Sequence, residues 1–335
     1  MSEGKTFALG IDLGGTKTLA AVVDVSTGEV VASARKRTRA ERGQDFIAQR
    51  TIELSSAALE AAKLTESDII AVGVGAAGQV NRRAGVITDA PNLGIRNLAL
   101  GSILHTHFNV PTYVGNDVEV AAMGEALYGS GSGYRNFVCI FVGTGIGSGI
   151  VLDRQMYTGL TGTAGEIGHI TVQADGRICG CGSRGCLEAY ASRTAITKAI
   201  LAEIHHGRPS ILAPNEPNLV KEGDRIIRSG VLADAIERKD ELVIEVMTEA
   251  ANFLGYGLGS VMNFYNPDCI ILGGGVIEAI DLLFDLAVRR ARRTALAASS
   301  KHTPIIRTKL GDFSGVVGAA CLGAQTAGHP LPIVK

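Results

Sequence analysis

One pattern occurs twice in this chain, and it restricts the available folds more than any other feature. Phe7-Ala-Leu-Gly-Ile-Asp12 is a short apolar run, Gly14-Gly15-Thr16-Lys17 breaks it, and Leu19-Ala-Ala-Val-Val-Asp24 is a second apolar run. The same order returns as Phe137-Val-Cys-Ile-Phe-Val142, then Gly143-Thr144-Gly145-Ile146-Gly147, then Ile150-Val151-Leu152-Asp153. Apolar runs of this length bounded by Gly and Thr read as strands joined by tight turns. Used twice, the sequence of strand, glycine–threonine loop, strand and closing aspartate implies one duplicated architectural unit. That suggests two related lobes with a cleft between them.

The rest of the chain alternates strands with helices, which makes the class α/β. Residues 30–38 read as a third strand. Residues 46–64 read as a helix, with Ile47, Ile52, Leu54, Ala58, Leu59 and Ala62 available for one face. Strands follow at 69–74 and 112–115, and a helix at 118–128. Later helices are expected at 187–204, 231–238 and 242–264. A strand at 269–272 then runs into Gly273-Gly274-Gly275, followed by a helix at 280–296, a strand at 305–310 and a small-residue helix at 315–327. Residues 206–230 are polar, contain proline and show no period, so they read as an exposed connection.

The 335 residues, 46% hydrophobic and 19% charged, are those of a globular protein. A net charge of −1 gives no broad basic field, so nucleic acid is not an expected partner. The opening residues lack the pattern of a secretory signal. Residues 136–152 and 250–267 carry no charge, but Gly, Thr, Ser or Asn interrupts both, so no membrane span is expected. Of six cysteines, Cys139, Cys269 and Cys321 stand singly in apolar runs, as buried thiols do. Cys179, Cys181 and Cys186 are clustered, and without a secretory signal that favours metal over disulfide and a cytoplasmic location.

Asp12 ends an apolar strand and faces the Gly14, Gly15, Thr16 loop. A carboxylate there needs a bond or a cation, and glycines let backbone N–H groups approach a phosphate. The loop is therefore a candidate phosphate site, with Asp12 facing hydrated magnesium. An ordinary hairpin whose Asp bonds its own turn is the alternative. Gly143-Thr144-Gly145-Ile146-Gly147 is a second candidate. No Gly-Lys-Ser/Thr follows it, and a strand follows where a dinucleotide site would need a helix. Gly273-Gly274-Gly275 suits either a close approach to an adenine nucleotide or a strand-to-helix turn that needs positive φ. Asn116-Asp117 precedes a helix. Asp117 could serve as an N-cap, as a general base that takes a proton from a sugar hydroxyl attacking the γ-phosphate, or as both.

The densest signal is Glu166-Ile-Gly-His169 followed by Cys179-Gly-Cys181-Gly-Ser-Arg-Gly-Cys186-Leu-Glu188. One His and three Cys complete a tetrahedral zinc set with no open position, as in a structural site. Zinc there would fix both arms of the segment. One imidazole nitrogen of His169 would remain to donate to a ligand hydroxyl. Glu166 and Glu188 add acceptors and Asn116 an amide, a set suited to a neutral polyol.

Together these motifs resemble the ROK family of sugar kinases and repressors, within the actin/hexokinase-like (ribonuclease H-like) ATPase fold. The resemblance rests on Asp12-Leu-Gly-Gly-Thr-Lys17, Asn116-Asp117, Gly143-Thr-Gly-Ile-Gly147, Glu166-x-x-His169, the Cys-rich segment and Gly273–275. It implies two lobes, with residues 1–117 and 314–335 in the smaller and 118–313 in the larger. It implies ATP, with Asp12, Gly14, Gly15, Thr16, Lys17, Gly143, Thr144, Gly145 and Gly273–275 around the nucleotide and Mg²⁺. It implies Asp117 as base and structural zinc on His169, Cys179, Cys181 and Cys186. Sugar hydroxyls would meet Asn116, Asp117, Glu166, His169 and Glu188. Gly75-Ala-Ala-Gly78 and Ala90-Pro-Asn-Leu93 are similar to the glucokinase branch, which adds Gly78 and Asn92 and makes glucose the expected substrate. A homodimer is also implied. The alternatives are an N-acetylhexosamine kinase, a sugar-sensing regulator and an actin-like structural ATPase. A ROK regulator would carry a helix-turn-helix ahead of the first loop, and none is expected here.

Overall fold

Strand β1 (Phe7–Leu13) has one bulky and one small face, and that difference organises the first half of the molecule. Leu9, Ile11 and Leu13 join a core with Ile47, Leu54 and Leu59 of helix α1 (Gln44–Ala62). Ala8 faces Val316, Val317 and Ala320 of helix α11 (Ser314–Thr326). A side chain at Gly10 would place its Cβ 1.9 Å from the Val316 carbonyl oxygen, so the helix lies directly on the strand. Strands covered on both faces are near-continuously apolar, as β4 (Ile69–Ala76) is throughout and β1 is apart from Asp12.

In the computed structural model of the chain, the described residues are 6–213 and 226–331. They form two compact units. Residues 6–134, 154–156 and 308–331 make the first, and 135–153 with 157–213 and 226–307 the second. The sheet of the first unit runs β3-β2-β1-β4-β8, with β2 at Lys17–Asp24, β3 at Glu29–Arg37 and β8 at Thr112–Asn116. Strand β2 is antiparallel to β1, β4 is parallel to β1, and β8 is parallel to β4.

The second unit repeats these directions. Strand β10 (Ile146–Leu152) is antiparallel to β9 (Phe137–Val142), β11 (Cys269–Gly273) is parallel to β9, and β12 (Ile305–Arg307) is parallel to β11. The duplication read from the two glycine–threonine loops therefore extends to the strand order around them. The core of this unit comes from α5 (Arg193–His205), α6 (Ser229–Glu237), the long α7 (Glu241–Tyr265) and α9 (Asp281–Thr294).

Several expectations change in detail. The helix expected at 187–204 is two, α4 (Glu188–Ala191) and α5, because the Ser192 side chain accepts from Ala195 N at 3.1 Å and restarts the helix. A further helix, α10 (Ala297–His302), follows α9. The strand expected to reach 310 stops at Arg307, since the N–H groups of Lys309 and Leu310 turn to the Glu125 carboxylate. A small sheet of β5 (Gln79–Asn81), β6 (Val86–Ala90) and β7 (Ile95–Leu98) lies ahead of helix α2 (Leu100–Phe108). Strands of three to five residues, two of them with charged side chains, fall below any periodicity window.

Of the connection read at 206–230, residues 214–225 lie outside the described residues. Its flanks are exposed at His206, Gly207, Pro209, Arg228 and Gly230 but anchored by buried residues between them. Leu212 and Ile227 are in the second core, and Asp240 accepts from Ile211 N and Ser210 Oγ. Helix α3 (Asp117–Tyr128) belongs to the first unit, where a Cβ at Gly318 would lie 1.7 Å from the Val120 carbonyl oxygen. The units thus divide at Tyr134, beyond the Asp117 boundary suggested by sequence. Among the described residues no helix is long and apolar enough to cross a membrane.

Candidate active site

In the first unit the candidate residues stand at the carboxyl ends of parallel strands, where open α/β sheets place their ligands. Asp12 ends β1 against the first turn of α11. A Cβ at Gly315 would lie 3.2 Å from its Cγ, so a side chain there would press on the carboxyl. Burial first, and then the charge of Asp117, push the Asp12 carboxyl up to about 7, with partial relief from Lys17. The two aspartates are therefore near enough to resist ionising together.

The loop after Asp12 closes through Gly14 N to Lys17 O at 3.1 Å, and Thr38 Oγ1 donates to Gly14 O at 2.6 Å. Gly15 abuts Asn92, whose Cβ lies 3.4 Å from where a Cβ on Gly15 would be. Lys17, read as a phosphate contact, is ion-paired with Asp312 at 3.0 Å, and Arg35 meets the same carboxylate at 2.9 Å. Burial alone would raise Asp312, but these two cations prevail and hold it low.

The cap of α3 is Asn116 and not Asp117. Asn116 Oδ1 accepts from Val118 N at 3.0 Å and Glu119 N at 3.3 Å, and its Nδ2 donates to Gly78 O at 3.1 Å. Asp117 is the first helical residue, and its Oδ1 also receives Val118 N at 3.0 Å. Gly78 and Asn116 are thereby joined by a hydrogen bond.

In the second unit, β10 already begins at Ile146, so the glycine loop narrows to Gly143–Gly145. Neighbouring elements build it. Ile146 N donates to Glu188 Oε2 at 2.8 Å, Arg193 N to Gly143 O at 3.0 Å, and the Arg193 guanidinium to Thr144 Oγ1 at 3.2 Å. A Cβ at Gly145 would lie 2.4 Å from Glu188 Oε2. The turn from Glu166 to His169 sits on the same strand, since a Cβ at Gly168 would lie 2.2 Å from the Ile146 carbonyl oxygen. Glu166, His169, Glu188 and the second glycine loop are thus one construction. The role of Glu188 in the loop was not visible in the sequence, nor was Arg193, because both act across long separations.

His169, Cys179, Cys181 and Cys186 bring one ligand atom each to within 4.8 Å of one another. Cys179 Sγ is 3.7 Å from His169 Nδ1, and Cys181 Sγ is 3.7 Å from Cys186 Sγ. Zinc with Zn–S bonds of about 2.3 Å requires tetrahedral S–S edges of about 3.8 Å. All the cysteines are free thiols, and burial pushes the Cys186 thiol up to about 12, so only a cation nearby would ionise it. The donor set fits zinc, with Nε2 of His169 on the opposite side of the ring from the thiols.

Gly274 has φ +91°, and a Cβ there would lie 2.6 Å from the Val142 carbonyl oxygen. The strand-to-helix turn therefore accounts for Gly274 without a ligand. Gly275, which opens helix α8 (Gly275–Ala279), has nothing within 4 Å of an added Cβ. Through Val142 this turn adjoins the loop at Gly143.

The repeated mixed sheet, with a glycine–threonine loop after the first strand of each copy and an aspartate at the end of β1, defines the two-lobed actin/hexokinase-like kinase fold. The chain belongs to the ROK family, whose model matches residues 8–326. It is 32% identical over 330 residues to a glucokinase of Streptomyces coelicolor, covering 97% of this chain and 99% of that one. A crystal structure of a ROK family glucokinase from Streptomyces griseus in complex with glucose and AMPPNP superposes with a TM-score of 0.81 at 31% identity, covering 95% and 99% of the two chains. A putative xylose repressor of a Caldicellulosiruptor species is 28% identical over 94% of this chain, which spans 77% of that relative.

Proposed function

We propose that the chain is an ATP-dependent sugar kinase that converts glucose to glucose 6-phosphate. The observation that carries this reading is the charge of Asp117, the first residue of α3 after β8, acting on Asp12 at the end of β1, in a chain similar along its length to glucokinases. Asp117 accepts the proton of the attacking sugar hydroxyl. The sugar-orienting roles go to Gly78, Asn92, Asn116, Glu166, His169 and Glu188, on the family resemblance of their motifs. The loops at Gly14–Lys17 and Gly143–Gly145, with Gly273–275, hold the nucleotide. Bound magnesium, faced by Asp12, supplies charge neutralisation at the phosphates. Zinc held by His169, Cys179, Cys181 and Cys186 orders the Glu166–Glu188 segment. A cytoplasmic homodimer is the form assigned to it.

Coupled ADP release tests this reading with glucose, N-acetylglucosamine, N-acetylmannosamine, mannose and fructose, on protein assayed for zinc and supplied with magnesium. Glucose should give the highest kcat/KM. A preference for an N-acetylhexosamine would move the substrate. Sugar binding without turnover on any of them would favour a regulator and overturn the kinase.

A further inference from the structure

Among the described residues, one carboxylate has no exposed surface at all, and it lies outside the groups that would meet sugar or nucleotide. Glu125, on α3 two turns beyond Asp117, is 0% exposed. A buried carboxylate is costly unless donors surround it. Here two reach each oxygen. Ser130 N (2.8 Å) and Lys309 N (3.1 Å) donate to Oε2, and Leu310 N (2.9 Å) and Ser314 Oγ (2.8 Å) donate to Oε1. Three of the four come from the stretch that runs from β12 into the first residue of α11, more than 180 residues away in the chain. That segment carries Asp312, the ion-pair partner of Lys17, and delivers Gly315 against the Asp12 carboxyl. One side chain thus ties the helix that begins at Asp117 to the stretch that seats Lys17 and Asp12.

We propose that Glu125 is a positioning residue for phosphoryl transfer: by clasping residues 309–314 to α3 it sets Lys17 and Asp12 relative to Asp117. The proposal rests on the kinase reading above. It differs from a plain structural tether in what should change when the clasp loosens. The groups that it seats face the nucleotide and its metal, whereas Asn92, Gly78, Glu166 and His169 make none of its bonds. Loosening should therefore weaken the use of MgATP and leave glucose binding alone.

Two variants test this, Ser314→Ala, which removes one donor of four, and Glu125→Gln, which sets an amide N–H₂ against two donors. For wild type and both variants, kcat and KM are measured for each substrate. Kd for glucose and for Mg-ADP is measured by calorimetry, and the melting temperature alongside. For Ser314→Ala, kcat/KM for MgATP should fall three- to tenfold with Kd for glucose within twofold of wild type, and Glu125→Gln should fall further. A lower melting temperature with unchanged MgATP kinetics in Ser314→Ala, or an equal loss for both substrates, would reduce Glu125 to a tether and overturn the proposal. If Glu125→Gln does not fold, Ser314→Ala decides. Wild-type protein inactive on every sugar would sink the kinase reading instead. The clasp would then stand if Ser314→Ala weakens Mg-ADP binding at least threefold, and fall if that binding is unchanged or absent from wild type.

Discussion

Replacing Asp12 by Asn should stabilise the magnesium-free protein while abolishing turnover. The carboxyl ionises near 3.8 in an unfolded chain and at about 7 in the folded one, because the partly buried group is desolvated and Asp117 is beside it. Between those values the folded state holds the extra proton, so stability is greatest below pH 3.8 and declines as pH rises towards 7. A gap of about three units at about 1.4 kcal/mol each sets the cost of ionised Asp12 at about 4 kcal/mol at pH 8, and at about 2 kcal/mol at pH 5. Asparagine does not titrate, so the advantage of Asp12→Asn over wild type should widen by about 2–3 kcal/mol between pH 5 and pH 8. Urea unfolding of both proteins without magnesium at the two pH values measures this, and coupled turnover measures the loss of function. A variant no more stable than wild type at pH 8, or an advantage that does not change with pH, would refute the reasoning.

Purified protein should carry one zinc per chain, and Cys186→Ser should lose it with a lower melting temperature. Three freely reactive thiols and no metal would contradict the site. Glu188→Gln keeps an acceptor for Ile146 N, whereas Glu188→Ala leaves that loop amide without one. Alanine should therefore lose at least about tenfold more kcat/KM than glutamine, worth about 1.4 kcal/mol for the lost bond, and equal losses in the two variants would remove the loop from the argument for Glu188. Gly318→Ala must push α11 off α3, where the added carbon would lie 1.7 Å from the Val120 carbonyl oxygen. It should cost about 1–3 kcal/mol in urea unfolding, and an unchanged midpoint would show that this packing is loose.

The sequence carried the duplication because its signal is local: each strand, loop and strand lies within about twenty residues. The His–Cys cluster was legible for the same reason, with His169, Cys179, Cys181 and Cys186 in eighteen residues and glycines between them. Groups that depend on distant partners were not legible. Asp312 reaches Lys17 across 295 positions and Glu125 reaches Ser314 across 189, and neither position has a neighbour that marks it. The capping of α3 was misread for a different reason. Asn and Asp are about equally good caps, and only the backbone, extended at Asn116 and helical from Asp117, decides between two adjacent candidates. The glycines at 273–275 show what composition cannot separate, since Gly274 is required by its own backbone angle and Gly275 is not.

The most direct measurement is glucose-dependent ADP release by Asp117→Asn beside calorimetric glucose binding. Because Asn116 and not Asp117 supplies the side-chain cap, the variant should fold normally. A general base at this position predicts that kcat falls at least about 100-fold while glucose still binds within a few-fold of wild type. A folded variant that turns over glucose within tenfold of wild type would contradict it.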